Sequence, residues 1–147
     1  MQVKRNLLEP APPAGLHGRA PDFYALYVLY YAGHGDEPDG HFCVEKKEVV
    51  TLDDILAVWA ASAPYQAGGS RLLIVADSCF AGLMAARLRS LCTRPGQQGV
   101  RLAEAARAVA VQASCGPDEV AYDGCFTSRY VTEVSEPRSR PCCAPAV

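Results

Sequence analysis

The 147-residue chain has no apolar run long enough to cross a bilayer: its longest, from Phe23 to Gly33, is far short of the roughly 20 residues a membrane helix needs. It also lacks a basic stripe. Fourteen Lys and Arg are interspersed with sixteen Asp and Glu for a formal net charge of −2, so nothing in the sequence neutralises a run of phosphates, and nucleic acid is excluded as a partner. The first 22 residues contain no apolar stretch of signal-peptide length, and Pro10, Pro12 and Pro13 interrupt the candidate region, so secretion is not supported. The seven cysteines are odd in number and follow no repeating frame. This argues against a disulfide scaffold and for reduced thiols in a cytoplasmic setting. What is present is half apolar and one-fifth charged, enough material for one modest packed domain.

Composition divides the chain into a flexible Pro/Gly-rich arm (1–22), a folded domain (23–134) and a Pro- and Cys-containing tail (135–147). FYALYVLYYA (23–32) is dense in aromatic and β-branched residues without strict alternation, the pattern of a strand buried on both faces. HFCVEKKEVVT (41–51) reads as a short hairpin. TLDDILAVWAASA (51–63) is an amphipathic helix with Thr51 as N-cap, Asp53 and Asp54 in its first turn, and Leu52, Ile55, Leu56 and Trp59 on one face. RLLIVAD (71–77) reads as a central strand, GLMAARLRSL (82–91) as a helix that TRPGQQG closes, and AVAVQAS (108–114) as a third strand preceded by an Ala-rich helix from about Leu102. FTSRYVTEV (126–134) reads as a last helix. Alternating strands and helices predict an α/β sandwich with a mostly parallel sheet, in which ligands bind beyond the carboxyl ends of the strands.

Two reactive side chains fall at such ends. His34 follows the first apolar strand and Cys79 the second, so a right-handed parallel crossover brings both to one edge of the sheet. A thiol with an ordinary pKa near 8.5 is only a few per cent thiolate at pH 7, and an imidazole titrating near 6.5 can take its proton and later return one to a leaving amine. Backbone amides at Gly35 and Cys79 are suitable donors for an oxyanion, because a glycine lets the main chain approach closely.

YYAGHGD (30–36) followed by LLIVADSCFAG (72–82) resembles the caspase-like cysteine peptidases (caspases, metacaspases and paracaspases), whose signatures are Tyr-Ser-Gly-His-Gly and Asp-x-Cys-x-x-Gly. His34 and Cys79 lie 45 positions apart, against roughly 50 in caspases. AVAVQASCGPDEVAYDGCFTS (108–128) is similar to the family's strand-loop-helix ending in Gly-x-Phe-Thr. The resemblance implies a three-layer α/β/α fold, truncated at both ends relative to the family. It further implies an endopeptidase with Cys79 as nucleophile, His34 as general acid/base and the amides of Gly35 and Cys79 as the oxyanion hole. Asp77, Ala32 and Ser114 are carried to the substrate-binding cleft.

In metacaspases and paracaspases the acid matching Asp77 binds Arg or Lys before the scissile bond, so a basic P1 residue is expected. Asp77 and Cys79 project to the same side of an extended segment. The alternative is that Asp77 caps the helix starting near Phe80, and the two roles are compatible. Ala32 stands where many metacaspases have a pocket serine. Metacaspase calcium dependence is not carried over, since no Asp or Glu lies between Cys79 and Val100. Asp36, Glu37 and Asp39 read as a solvated turn. His34, His41 and Cys43 lack a fourth ligand at a familiar spacing, so no metal and no cofactor are expected. Expected partners are protein or peptide substrates, with a homodimer or a full-length relative as a further association. A catalytically silent module of the same fold, acting by binding, is the competing function.

Overall fold

Thr51 begins the first helix by a reciprocal arrangement. Its hydroxyl accepts from the Asp54 backbone N–H at 3.1 Å, while the Asp54 carboxylate accepts from the Thr51 N–H at 3.1 Å. Two otherwise orphaned donors are thereby satisfied. The resulting helix α1 (Leu52–Ala61) buries Leu52, Ile55, Leu56 and Trp59. It ends at Ser62, whose extended backbone stops the helix and whose side chain then caps the single turn α2 (Ala63–Gln66). The structure is a computed structural model describing residues 23–45, 48–93, 100–122 and 125–135. The proposed arm at 1–22, the closure at 94–99 and the tail beyond 135 lie outside the described residues.

The remaining elements are β1 (Leu26–Ala32), β2 (Gly35–Asp36), β3 (His41–Glu45), β4 (Glu48–Val50), β5 (Arg71–Asp77), α3 (Ala81–Thr93), α4 (Val100–Ala106), β6 (Val109–Ala113) and α5 (Cys125–Ser135). They form an α/β fold with two small sheets. The larger is fully parallel with order β1-β5-β6, and the smaller is antiparallel with order β2-β3-β4. β5, the continuous apolar run, is central as expected. The hairpin predicted over 41–51 is the β3-β4 pair, and β2 joins it as a third strand that the sequence did not announce.

One face of the parallel sheet carries the core. Tyr27, Leu29 and Tyr31 of β1, Leu72, Ile74 and Ala76 of β5, and Val109, Val111 and Ala113 of β6 pack with the buried residues of α1, α3 and α4. Leu56, Trp59, Ile74 and Met84 are at most 1% exposed. Trp59 is flanked by the rings of Tyr27 and Tyr65 at centroid distances of 5.6 and 6.0 Å.

The opposite face departs from expectation. β1 was predicted to be buried on both sides, yet its residues alternate, with Leu26 54%, Val28 58% and Tyr30 44% exposed. Among the described residues the layer on that side is α5 alone. Its Thr127 reaches Asp77 and Tyr30, at the carboxyl ends of β5 and β1. The third layer of the expected sandwich is thus one helix at one end. Apolar density in β1 did not distinguish a strand covered twice from one covered once.

Candidate active site

The position of the two reactive residues follows from the strand register. β1 lies beside β5 with Ala32 paired to Asp77, and the ladder continues one step further through Gly33 N–H to Asp77 O at 3.1 Å. His34 and Cys79 each stand two positions beyond that pair, so both leave the sheet at its carboxyl edge, side by side on neighbouring strands.

Gly35 brings the two connections into contact. A Cβ built on it would lie 2.2 Å from the Cys79 carbonyl oxygen, a distance that no side chain tolerates against backbone, and 3.0 Å from Ser78 Oγ. The glycine after His34 is therefore required because the main chain rests directly on the Cys79 peptide. Gly40, at φ 65°, makes the equivalent approach one residue later: its Cβ would lie 2.4 Å from the Phe80 carbonyl oxygen. Phe80 itself adopts φ 58°, an uncommon conformation for a bulky residue. Its N–H is held by Glu119 O at 2.8 Å, and its carbonyl accepts from Leu83 N at 2.9 Å.

The His34 backbone is fixed from two directions. Its carbonyl accepts from Cys43 N at 2.9 Å, and the Tyr31 hydroxyl lies 2.8 Å from that oxygen and 2.9 Å from Cys43 O, donating its one proton to either. Tyr31 stacks on Phe42 at 4.0 Å with planes 16° apart. Burial, and next the neighbouring Cys43 charge, raise its hydroxyl pKa, so it remains a proton donor. The His34 imidazole is exposed and makes no hydrogen bond among the described residues. The Cys79 thiol is half-buried and its contact is the Ala121 carbonyl at 4.0 Å; no hydrogen bond joins it to His34. The Cys79 N–H has no partner among the described residues either, which leaves it available to an oxyanion.

Two of the expected substrate-binding residues carry hydrogen bonds within the fold. Asp77 is 8% exposed and its carboxylate already accepts from the Thr127 hydroxyl, against which the Tyr30 hydroxyl is set. The capping alternative is not made, because α3 begins only at Ala81 and Thr127 is the carboxylate's partner. Ser114, expected in the cleft, uses its hydroxyl on Ser78, accepting from Ser78 N at 3.2 Å and donating to Ser78 O at 3.1 Å. It braces the loop that carries Cys79. Ala32 is exposed at the end of β1.

Thr127 and Tyr30 were quoted within the motifs without a role. Their contact spans 97 positions in the chain, and nothing local signals it. The segment after β6 completes the surroundings. Gly82 packs against it so closely that a Cβ would lie 2.5 Å from both Gly116 C and Pro117 N. Beyond it a cleft of about 940 Å³ opens between this segment and α5, lined among others by Glu119, Ala121, Tyr122, Phe126, Arg129 and Tyr130. His34 and Cys79 stand outside that lining, and Ala121, whose carbonyl meets Cys79 Sγ, is the point of contact between cleft and thiol.

The hairpin beside the site also groups residues differently from the sequence. Asp36, His41 and Cys43 hold their ligand atoms within 4.8 Å of one another, and His34 is not part of that group. Burial and the Asp36 charge both push the Cys43 thiol pKa up.

Cys43, Cys79, Cys92, Cys115 and Cys125 carry free thiols. Among the described residues no helix is long and apolar enough to cross a membrane. Comparison with protein-family models and with curated proteins finds no match.

Proposed function

We propose that the chain is a caspase-like cysteine endopeptidase that hydrolyses peptide bonds after Arg or Lys. The observation that carries the proposal is the juxtaposition of His34 and Cys79 at neighbouring parallel strand ends, with Gly35 seated on the Cys79 carbonyl. Cys79 gives its proton to His34 and attacks the peptide carbonyl carbon. The oxyanion forms beside the Cys79 and Gly35 amides. Collapse breaks the C–N bond as the His34 imidazolium protonates the leaving amine, leaving a thioester. Water, deprotonated by His34, then attacks the thioester and releases the acid and the free thiol. The direct hydrogen bond between thiol and imidazole is not present in this structure, in keeping with catalytic contacts that tighten only when substrate is bound. The preference for a basic residue rests on Asp77, two residues before the nucleophile, with the Thr127 hydroxyl fixing its carboxylate.

A catalytically silent binding module is favoured by one observation, that Cys79 Sγ contacts Ala121 O and not His34. An Arg-directed electrophilic peptide probe separates the two. Mass mapping is expected to place the adduct on Cys79, with the labelling rate of His34→Ala lower by about 100-fold or more, the low end of general acid/base contributions. An unlabelled Cys79, or equal rates with and without the imidazole, selects the silent module. A faster reaction with an Asp-directed probe removes the role given to Asp77.

A further inference from the structure

The β2-β3 hairpin places three side chains of different ligand chemistry on one face. Asp36 is directly opposite His41 in the antiparallel ladder, and Cys43, two residues beyond His41 on the same strand, points the same way. A carboxylate oxygen, an imidazole nitrogen and a thiol sulfur thus lie within 4.8 Å of one another. We infer that Asp36, His41 and Cys43 bind a zinc-class divalent ion, with the fourth coordination position open to water or another ligand.

Bond lengths of about 2.0–2.3 Å in a tetrahedron separate neighbouring ligand atoms by roughly 3.4–3.6 Å, so modest side-chain rotations close the site. The donor set selects the ion. Calcium and magnesium take oxygen ligands throughout, whereas an O, N, S set with one thiolate suits zinc. Charge agrees: a carboxylate, a neutral imidazole and a thiolate balance a dication, and binding releases the Cys43 proton to solvent. The framework is fixed from behind, since Cys43 N–H bonds His34 O and Tyr31 lies against Cys43 O. The hairpin does not depend on the proposed peptidase chemistry: none of the three ligand side chains is His34 or Cys79, and Cys43 meets His34 through backbone.

Titration of the reduced chain with Co²⁺ tests the site spectroscopically. One equivalent is expected to give a sulfur-to-cobalt charge-transfer band with tetrahedral visible absorption, displaced by Zn²⁺. Asp36→Asn, His41→Gln and Cys43→Ala are each expected to weaken Zn²⁺ binding by more than about tenfold, the loss that even outer-shell partners produce. Cys43→Ala also removes the sulfur band, while Cys79→Ala and His34→Ala leave affinity and spectrum unchanged. Circular dichroism of each variant verifies that the fold is retained. A sulfur band that persists in Cys43→Ala, a band lost in Cys79→Ala or His34→Ala, or an affinity indifferent to Asp36→Asn overturns the assignment.

Discussion

Gly35→Ala is expected to slow labelling of Cys79 by an Arg-directed electrophile about 100-fold, the cost of misplacing a reacting group by roughly an ångström. The added methyl would sit 2.2 Å from the Cys79 carbonyl oxygen, where ordinary contact requires more than 3 Å. Something must yield, and the obstacle is backbone. The Cys79 loop cannot retreat freely, because Ser114 holds the Ser78 peptide, Glu119 O holds Phe80 N–H and Gly82 is pressed against Gly116 and Pro117. Displacement therefore falls on the spacing between His34 and Cys79. Labelling rates of the two proteins, with circular dichroism to show that the helices persist, measure it. An unchanged rate would mean that this close approach does not set the geometry of the dyad.

The largest effect on stability is expected at Trp59. It is 1% exposed and packs between Tyr27 and Tyr65, joining α1 to the first strand. Trp59→Ala is expected to cost about 3–5 kcal/mol, from lost burial and the cavity left behind. That is a large share of the roughly 5–15 kcal/mol typical of a domain. Part of the loss is offset because Trp59 Nε1 is buried without a hydrogen-bond partner among the described residues, so truncation also removes an unsatisfied donor. Urea midpoints for the two proteins give the difference directly. A loss below about 1 kcal/mol would show that the helix and the sheet do not depend on this ring for their packing.

Much of the architecture was legible because its causes are local. Thr51 with Asp54 marks a helix start, the RLLIVAD run marks a central strand, and Ala-rich or amphipathic periods mark the helices that follow. The parallel adjacency of β1 and β5 follows from alternation and handedness, and with it the shared edge of His34 and Cys79. What the sequence does not record is non-local. Whether Leu26 and Val28 are covered depends on what lies across the sheet, and their own identities do not record it. The Thr127 hydroxyl on the Asp77 carboxylate comes from 50 positions away, and no local pattern announces it. The bonds by which the Ser114 hydroxyl accepts from and donates to the Ser78 backbone join residues 36 positions apart, which the sequence does not record. Asp36 is exposed, as a solvated turn requires, and only the pairing of β2 with β3 shows that it lies beside His41 and Cys43.

The two sheets meet at the candidate site, where Gly35 and Gly40 of the hairpin region rest on the carbonyls of Cys79 and Phe80 and Tyr31 stacks on Phe42. The loop that carries Cys79 is thus also part of the mechanical joint between two structural units. Mutational tolerance there is limited by fit, and a small residue lost from this joint disturbs both units together.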